Sequence, residues 1–223
     1  MEVTHKQILT SLEKGGLVPV FNHSDIEVAK EVLDACYNGG VRAFEFTNRG
    51  DNALDVFKAL VQHGKKHDGL IMGIGTIFSA KDAKLFYDAG AQFIVSPAMV
   101  PEMGEFCDSV NVLWIPGCGT VTEIHKALQL GAKLVKAFPG NVLGPGFVKS
   151  VKAVYPKVPI MPTGGVAPTE ENLKAWFDAG VTCVGMGSKL MVKDAQGNFD
   201  LNAIRELTKT SLKIISELKN ESS

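Results

Sequence analysis

The hydrophobic positions of this 223-residue chain fall into short apolar runs that alternate with longer stretches in which apolar side chains recur every three or four places. The runs predict strands at 17–21, 41–47, 70–75, 92–95, 112–115, 134–138, 159–162 and 181–186. The stretches between them predict helices at 24–37, 51–67, 79–88, 100–109, 120–130, 145–154, 168–178 and 201–218, after a leading amphipathic helix at 3–14 that carries Ile8, Leu9 and Leu12 on one side. Punctuation agrees with the periodicity. Ser24-Asp25-Ile26-Glu27 reads as a capping box, and Pro101 suits a first helical turn. Gly15-Gly16, Gly39-Gly40-Val41, Ala89-Gly90-Ala91, Leu130-Gly131-Ala132 and Ala179-Gly180-Val181 each close a helix with glycine. The polar residues 219–223 are expected to form a disordered tail.

Eight strands alternating with eight helices behind a leading helix predict a (β/α)8 TIM barrel formed by one domain over residues 1–223. An open doubly wound sheet has no dinucleotide fingerprint to support it: Gly73-Ile74-Gly75 is half of GxGxxG, and GxxxxGK[ST] does not occur. With 23 basic against 24 acidic residues and no basic stripe, nucleic acid is not an expected partner. No signal pattern and no membrane-length apolar run are present, and Cys36, Cys107, Cys118 and Cys183 are scattered without a CxxC pair. A cytoplasmic protein with no membrane partner is expected.

One strand breaks the apolar pattern. In Leu134-Val135-Lys136-Ala137-Phe138-Pro139 the lysine has no polar face to escape to, since Leu134, Lys136 and Phe138 share one face of a strand expected to be buried on both. Strand two repeats the oddity. There Phe44 and Phe46 face the helices and Glu45 the barrel interior. Arg49 follows above the same strand, and Thr76, Pro97, Pro116-Gly117, Thr163-Gly164-Gly165 and Gly187-Ser188 stand past the ends of later strands. Chemistry in a barrel gathers at these C-terminal strand ends, and the loops after strands seven and eight recurrently bind phosphate. Gly164, Gly165, Gly187 and Ser188 fit that role. Read alone, Glu45 and Lys136 could form a structural ion pair, and the glycines could be ordinary turns. Together they suggest amine nucleophilic catalysis on a carbonyl substrate, with Glu45 transferring protons. A nucleophilic amine must reach its neutral form, which apolar burial favours and an anionic neighbour opposes.

These segments resemble the 2-keto-3-deoxy-6-phosphogluconate (KDPG) and 2-keto-4-hydroxyglutarate (KHG) aldolase family. The resemblance runs from Leu17-Val18-Pro19-Val20 to the terminal helix, through Glu45-Phe46-Thr47-Asn48-Arg49, Gly73-Ile74-Gly75-Thr76, Ser96-Pro97, Pro116-Gly117, Lys136-Ala137-Phe138-Pro139 and Pro162-Thr163-Gly164-Gly165-Val166. It implies a class I, metal-independent aldolase without a cofactor, a homotrimer, cleaving KDPG to pyruvate and glyceraldehyde 3-phosphate. It further implies that Lys136 forms the Schiff base, that Glu45 is the general acid/base, and that Arg49 and Thr76 hold the pyruvate carboxylate. Pro97 and Phe138 would line the pyruvate pocket, Thr163 would meet the sugar hydroxyls, and Gly164, Gly165, Gly187 and Ser188 the phosphate. Asn48, Gly140 and Cys118-Gly119 depart from the family pattern and bear on substrate range. Relatives that cleave KHG or the galactonate-configured phosphosugar share the core and are the alternatives of the same mechanism. A catalytically silent sugar-phosphate binder is the alternative of another class, and Lys136, Glu45 and Arg49 together speak against it. His63 and His67 have helical metal-pair spacing, but no third ligand is apparent and a pair of surface histidines at a helix end is expected.

Overall fold

A computed structural model describes residues 4–221. The chain runs α1 (His5–Gly15), β1 (Leu17–Phe21), α2 (Ile26–Asn38), β2 (Ala43–Thr47), α3 (Ala53–Gly64), β3 (Ile71–Gly75), α4 (Ala80–Asp88), β4 (Phe93–Ser96), α5 (Pro101–Ser109), β5 (Leu113–Cys118), α6 (Val121–Gln129), β6 (Val135–Ala137), α7 (Gly140–Val154), β7 (Ile160–Pro162), α8 (Glu170–Asp178), β8 (Val184–Met186) and α9 (Leu201–Glu221). All strands pair in parallel in the order β7-β6-β5-β4-β3-β2-β1-β8. A single bridge between Thr163 and Gly185 joins β7 to β8 and rounds the sheet into the expected (β/α)8 barrel.

Two separate cores follow from strand alternation. Phe44, Phe46, Ile74, Ile94, Trp114, Val135, Ala137 and Val184 pack outward against the helices. Val18, Ala43, Ile71, Phe93, Val95, Leu113, Ile115, Leu134 and Met161 fill the barrel, and Ile8 and Leu12 of α1 join this inner set. The leading helix therefore plugs the end of the barrel where the strands begin. Thr4 caps it, its hydroxyl accepting from the Gln7 N–H while the Gln7 side chain accepts from the Thr4 N–H.

Glycine closes the helices as the sequence implies. At the end of α2 the Gly40 N–H donates to Tyr37 O and the Val41 N–H to Cys36 O, with Gly40 at φ 114°, and Gly90 and Gly131 repeat the arrangement. Other boundaries differ from expectation. The capping box at Ser24 does not form, because Asp25 is the cap and accepts from the Glu27 and Val28 N–H groups. The 145–154 helix begins earlier, at Gly140, and is interrupted at Gly144, whose φ of 68° breaks the turn so that Pro145 can start the second segment. Strand β5 continues through Pro116 and Gly117 to Cys118. Residues 219–221, expected in a tail, complete the last turn of α9, and 222–223 lie outside the described residues. Among the described residues no helix is long and apolar enough to cross a membrane.

Candidate active site

Strand β6 is three residues long, and its alternation decides where the lysine points. Val135 and Ala137 face the helices and Leu134 the inner core, so Lys136 projects into the barrel one layer above Leu134. It is 4% exposed. On β2 the same alternation sends Glu45 inward, fully buried, with Oε1 3.8 Å from Lys136 Nζ. Burial pushes the Glu45 carboxyl above its ordinary value, while the charges of Lys136 and Arg49 work against that rise. Neither carboxylate oxygen has a hydrogen-bond partner. A purely structural buried pair needs close, fully hydrogen-bonded geometry to offset its desolvation, and this pair lacks it. The chemical reading is the stronger one.

Neighbouring residues make room for the pair. Glu45 lies beside β3, where Gly73 and Gly75 leave the inner face bare; a Cβ on Gly75 would overlap Glu45 Oε1 and stand 2.7 Å from its Cδ. Directly after Gly75, Thr76 adopts φ 62°. A β-branched side chain in the left-handed region costs on the order of 1–3 kcal/mol, and such strain concentrates where a side chain is being aimed. On the other side, the Phe138 ring centroid lies 5.0 Å from Lys136 Nζ.

Above this floor opens a cleft of about 580 Å³. Arg49, Phe138, Thr163, Gly164, Gly165, Gly187 and Ser188 line it, which brings most of the expected site residues to one mouth. Thr76 and Pro97, which follow β3 and β4, are not among the lining residues, and neither are Lys136 and Glu45, which lie deeper and adjoin the cleft through Phe138. Gly164 and Gly165 have φ of 92° and 73°, so glycine is required there. Gly140, one of the departures from the family pattern, donates its N–H to Thr163 O at 2.8 Å, and a Cβ on it would press on that carbonyl at 2.9 Å. The Thr163 hydroxyl is buried and without a partner.

Several residues at the mouth were not anticipated. Asn22, just past β1, donates its amide to Thr47 O at 3.0 Å and Arg49 O at 2.9 Å, fixing the loop that carries Arg49. The strand-end rule, applied to the first strand as to the others, points to it. Asn172 similarly ties the loop after β7, donating to Gly165 O and accepting from the Ala167 N–H. Lys189, Lys193 and Phe199 also line the cleft. Lys193 and Phe199 are bridged across a hairpin between β8 and α9, whose charged composition reads in the sequence as an ordinary exposed loop. His63 and His67 stand elsewhere, on α3 and in the turn after it, beside a third group that their spacing in the sequence does not show: Asp34 Oδ1 lies 2.8 Å and 2.6 Å from their Nε2 atoms.

An amine set in an apolar floor beside an unpartnered carboxyl has one ready use, imine formation with a carbonyl compound, and the class is that of Schiff-base enzymes built on a barrel. Comparison with known proteins carries this further. The model of the KDPG and KHG aldolase family matches residues 8–207, and the chain belongs to that family. It is 33% identical over 202 residues to the 2-dehydro-3-deoxy-phosphogluconate aldolase of Pseudoalteromonas atlantica, covering 89% of this chain and 91% of that one. It is 31% identical over 205 residues to the KHG/KDPG aldolase of Escherichia coli, covering 90% and 92%. Among solved structures, KDPG aldolase from Legionella pneumophila, with pyruvate captured as a covalent carbinolamine intermediate, superposes with a TM-score of 0.82 at 25% identity over 91% of this chain and 97% of that one.

Proposed function

We propose that this chain is a class I aldolase that cleaves KDPG reversibly to pyruvate and glyceraldehyde 3-phosphate, through a Schiff base on Lys136. The observation that carries the reading is the buried Lys136–Glu45 pair, 3.8 Å apart, with both carboxylate oxygens unpartnered. Neutral Lys136 Nζ attacks the C2 carbonyl, and loss of water from the carbinolamine yields an iminium that serves as electron sink. The C3–C4 bond then breaks as the C4 hydroxyl loses its proton, the aldehyde leaves, and the remaining enamine is protonated at C3 before water releases pyruvate and the amine. Glu45, its carboxyl raised by burial, holds and returns protons within the pocket.

In this reading Arg49 and Thr76 hold the keto-acid carboxylate, Pro97 and Phe138 bound the pyruvate, and Thr163 meets the sugar hydroxyls. Gly164, Gly165, Gly187 and Ser188 take the phosphate, with the whole chain forming one aldolase domain. A homotrimer and a cytoplasmic setting belong to the same reading, supported by the family resemblance. Cleavage of KHG is a second reading, supported by the similarity to an enzyme named KHG/KDPG aldolase.

The test is incubation with pyruvate and borohydride, followed by intact mass and peptide mapping. A reduced pyruvyl adduct on Lys136 is expected, and its absence in folded protein would overturn the mechanism. Comparing kcat/KM for KDPG, its galactonate-configured isomer and KHG then assigns the aldehyde half. A strong preference for phosphorylated substrates supports KDPG-type cleavage, and indifference to phosphate supports KHG.

A further inference from the structure

Asp34 is near the end of α2, His63 near the end of α3, and His67 in the turn that follows. That turn keeps helical winding through 64–67, since the Lys65, Lys66 and His67 N–H groups donate to Gln62, His63 and Gly64 carbonyls. The two histidines, four residues apart, thus present their rings to the same side. Both Nε2 atoms converge on one oxygen of Asp34, at 2.8 Å and 2.6 Å, and all three ligand atoms lie within 4.8 Å of one another. The second oxygen is taken by Lys66 at 2.9 Å.

We propose that Asp34, His63 and His67 form a binding site for a borderline-soft divalent cation of the Zn2+ type, which clips α2 to the turn between α3 and β3. Two imidazole nitrogens and one carboxylate oxygen are a ligand set that such ions accept, with a fourth position left for water. Tetrahedral coordination needs ligand atoms about 3.3 Å apart, given metal–ligand bonds of ~2.0 Å, so each nitrogen must draw back from the Asp34 oxygen by about half an ångström, while the two nitrogens already lie within 4.8 Å of each other. The ligands are held in place beforehand. The Tyr37 ring stacks on His67 at 4.0 Å between centroids, and the Tyr37 hydroxyl donates to Asp68 O at 3.0 Å. The site is reachable, since Asp34 is 30% exposed, and Lys66, half exposed, can turn its ammonium into water as the ion enters. Helix C-termini lie at the end of a barrel opposite the catalytic mouth, so this ion would act on stability and not on the aldol step.

The experiment uses tag-free protein stripped with a chelator and titrated calorimetrically with ZnCl2, with CoCl2 as a spectroscopic probe. One ion per chain is expected, with visible Co2+ bands of four-coordination and a rise in Tm of roughly 5–10 °C when Zn2+ is present at ~100 times its Kd. Asp34→Asn and His67→Gln should each weaken binding at least ~10-fold, and Lys66→Met should bind as well as the parent protein or better. kcat/KM should be the same with and without the ion. No stoichiometric binding by the parent protein overturns the proposal, as does binding that survives in both Asp34→Asn and His67→Gln. Should those variants fail to fold, the Co2+ spectrum of the parent protein and the Lys66→Met titration still decide.

Discussion

Replacing Gly75 by alanine adds one methyl group at the place where β3 is bare so that Glu45 fits. Gly75 has no unusual backbone conformation, so its substitution tests space alone. The new Cβ would overlap Glu45 Oε1 and sit 2.7 Å from Cδ and 3.1 Å from Cγ, and the carboxylate must retreat by about 1 Å to reach ordinary contact. Oε1 starts 3.8 Å from Lys136 Nζ. At an effective dielectric of ~20, a change of ~1 Å in that separation alters the attraction by roughly 1 kcal/mol. The larger loss is positional, since a misplacement of ~1 Å in a proton-transferring group costs on the order of 100-fold in rate. Overpacking the inner face costs a further ~1–3 kcal/mol of stability, a fall in Tm of roughly 3–10 °C. Steady-state cleavage of KDPG and thermal melts measure both. Gly146→Ala is the control, because that exposed position in α7 has nothing within 4 Å and should gain about 0.5–1 kcal/mol from helix propensity. A Gly75→Ala protein with unchanged kcat/KM and Tm would refute the account of why β3 carries glycine there.

Thr76→Gly should relieve the strain at φ 62° and stabilise the fold by about 0.5–1 kcal/mol, while raising KM for keto acids about 10-fold; a lower Tm or an unaltered KM counts against the role assigned to Thr76. Leu12→Ala, at a position 2% exposed in the plug formed by α1, should cost about 2–5 kcal/mol in denaturant unfolding, and a loss under ~1 kcal/mol would show that the plug contributes little. Burial pushes all four thiols up to about 12. Native protein at pH 8 should therefore resist thiolate-directed alkylation that labels Cys36, Cys107, Cys118 and Cys183 fully once the chain is unfolded; rapid labelling of any of them in the native state would contradict their burial.

Strand parity explains how much of the site could be read in advance. A strand in a barrel has only two faces, so Phe44 and Phe46 against the helices leave Glu45 no direction but inward, and Val135 and Ala137 do the same for Lys136. Local signals also sufficed for the glycine-closed helices. What was illegible depended on partners distant in sequence. Asp34 is an unremarkable helix residue until α2 packs on α3 and brings it to His63 and His67. Pro116 and Gly117 look like a turn, yet Pro116 pairs with Ser96 and Gly117 with Lys136, because a short strand beside complete neighbours is extended by them. Residues 219–221 are polar in the sequence, and the rest of α9, anchored by Ile204, Ile215 and Leu218, carries them as a continuing turn. The mouth lysines gave no signal, since charge in a loop is the commonest pattern of all.

Every other pair of neighbouring strands in the barrel shares at least two register positions, while β7 and β8 share the single bridge of Thr163 with Gly185, beside the bond from the Thr182 N–H to Ile160 O. The ring thus has a clasp, and the clasp is a residue proposed to touch substrate. Whatever occupies the cleft between the loops after β7 and β8 spans that join and closes it from above. Catalytic occupancy and mechanical integrity then share one location. Amide hydrogen exchange along β7 and β8 should slow when a phosphorylated keto acid is bound, while exchange along β2 and β3, sewn by five register positions, changes little.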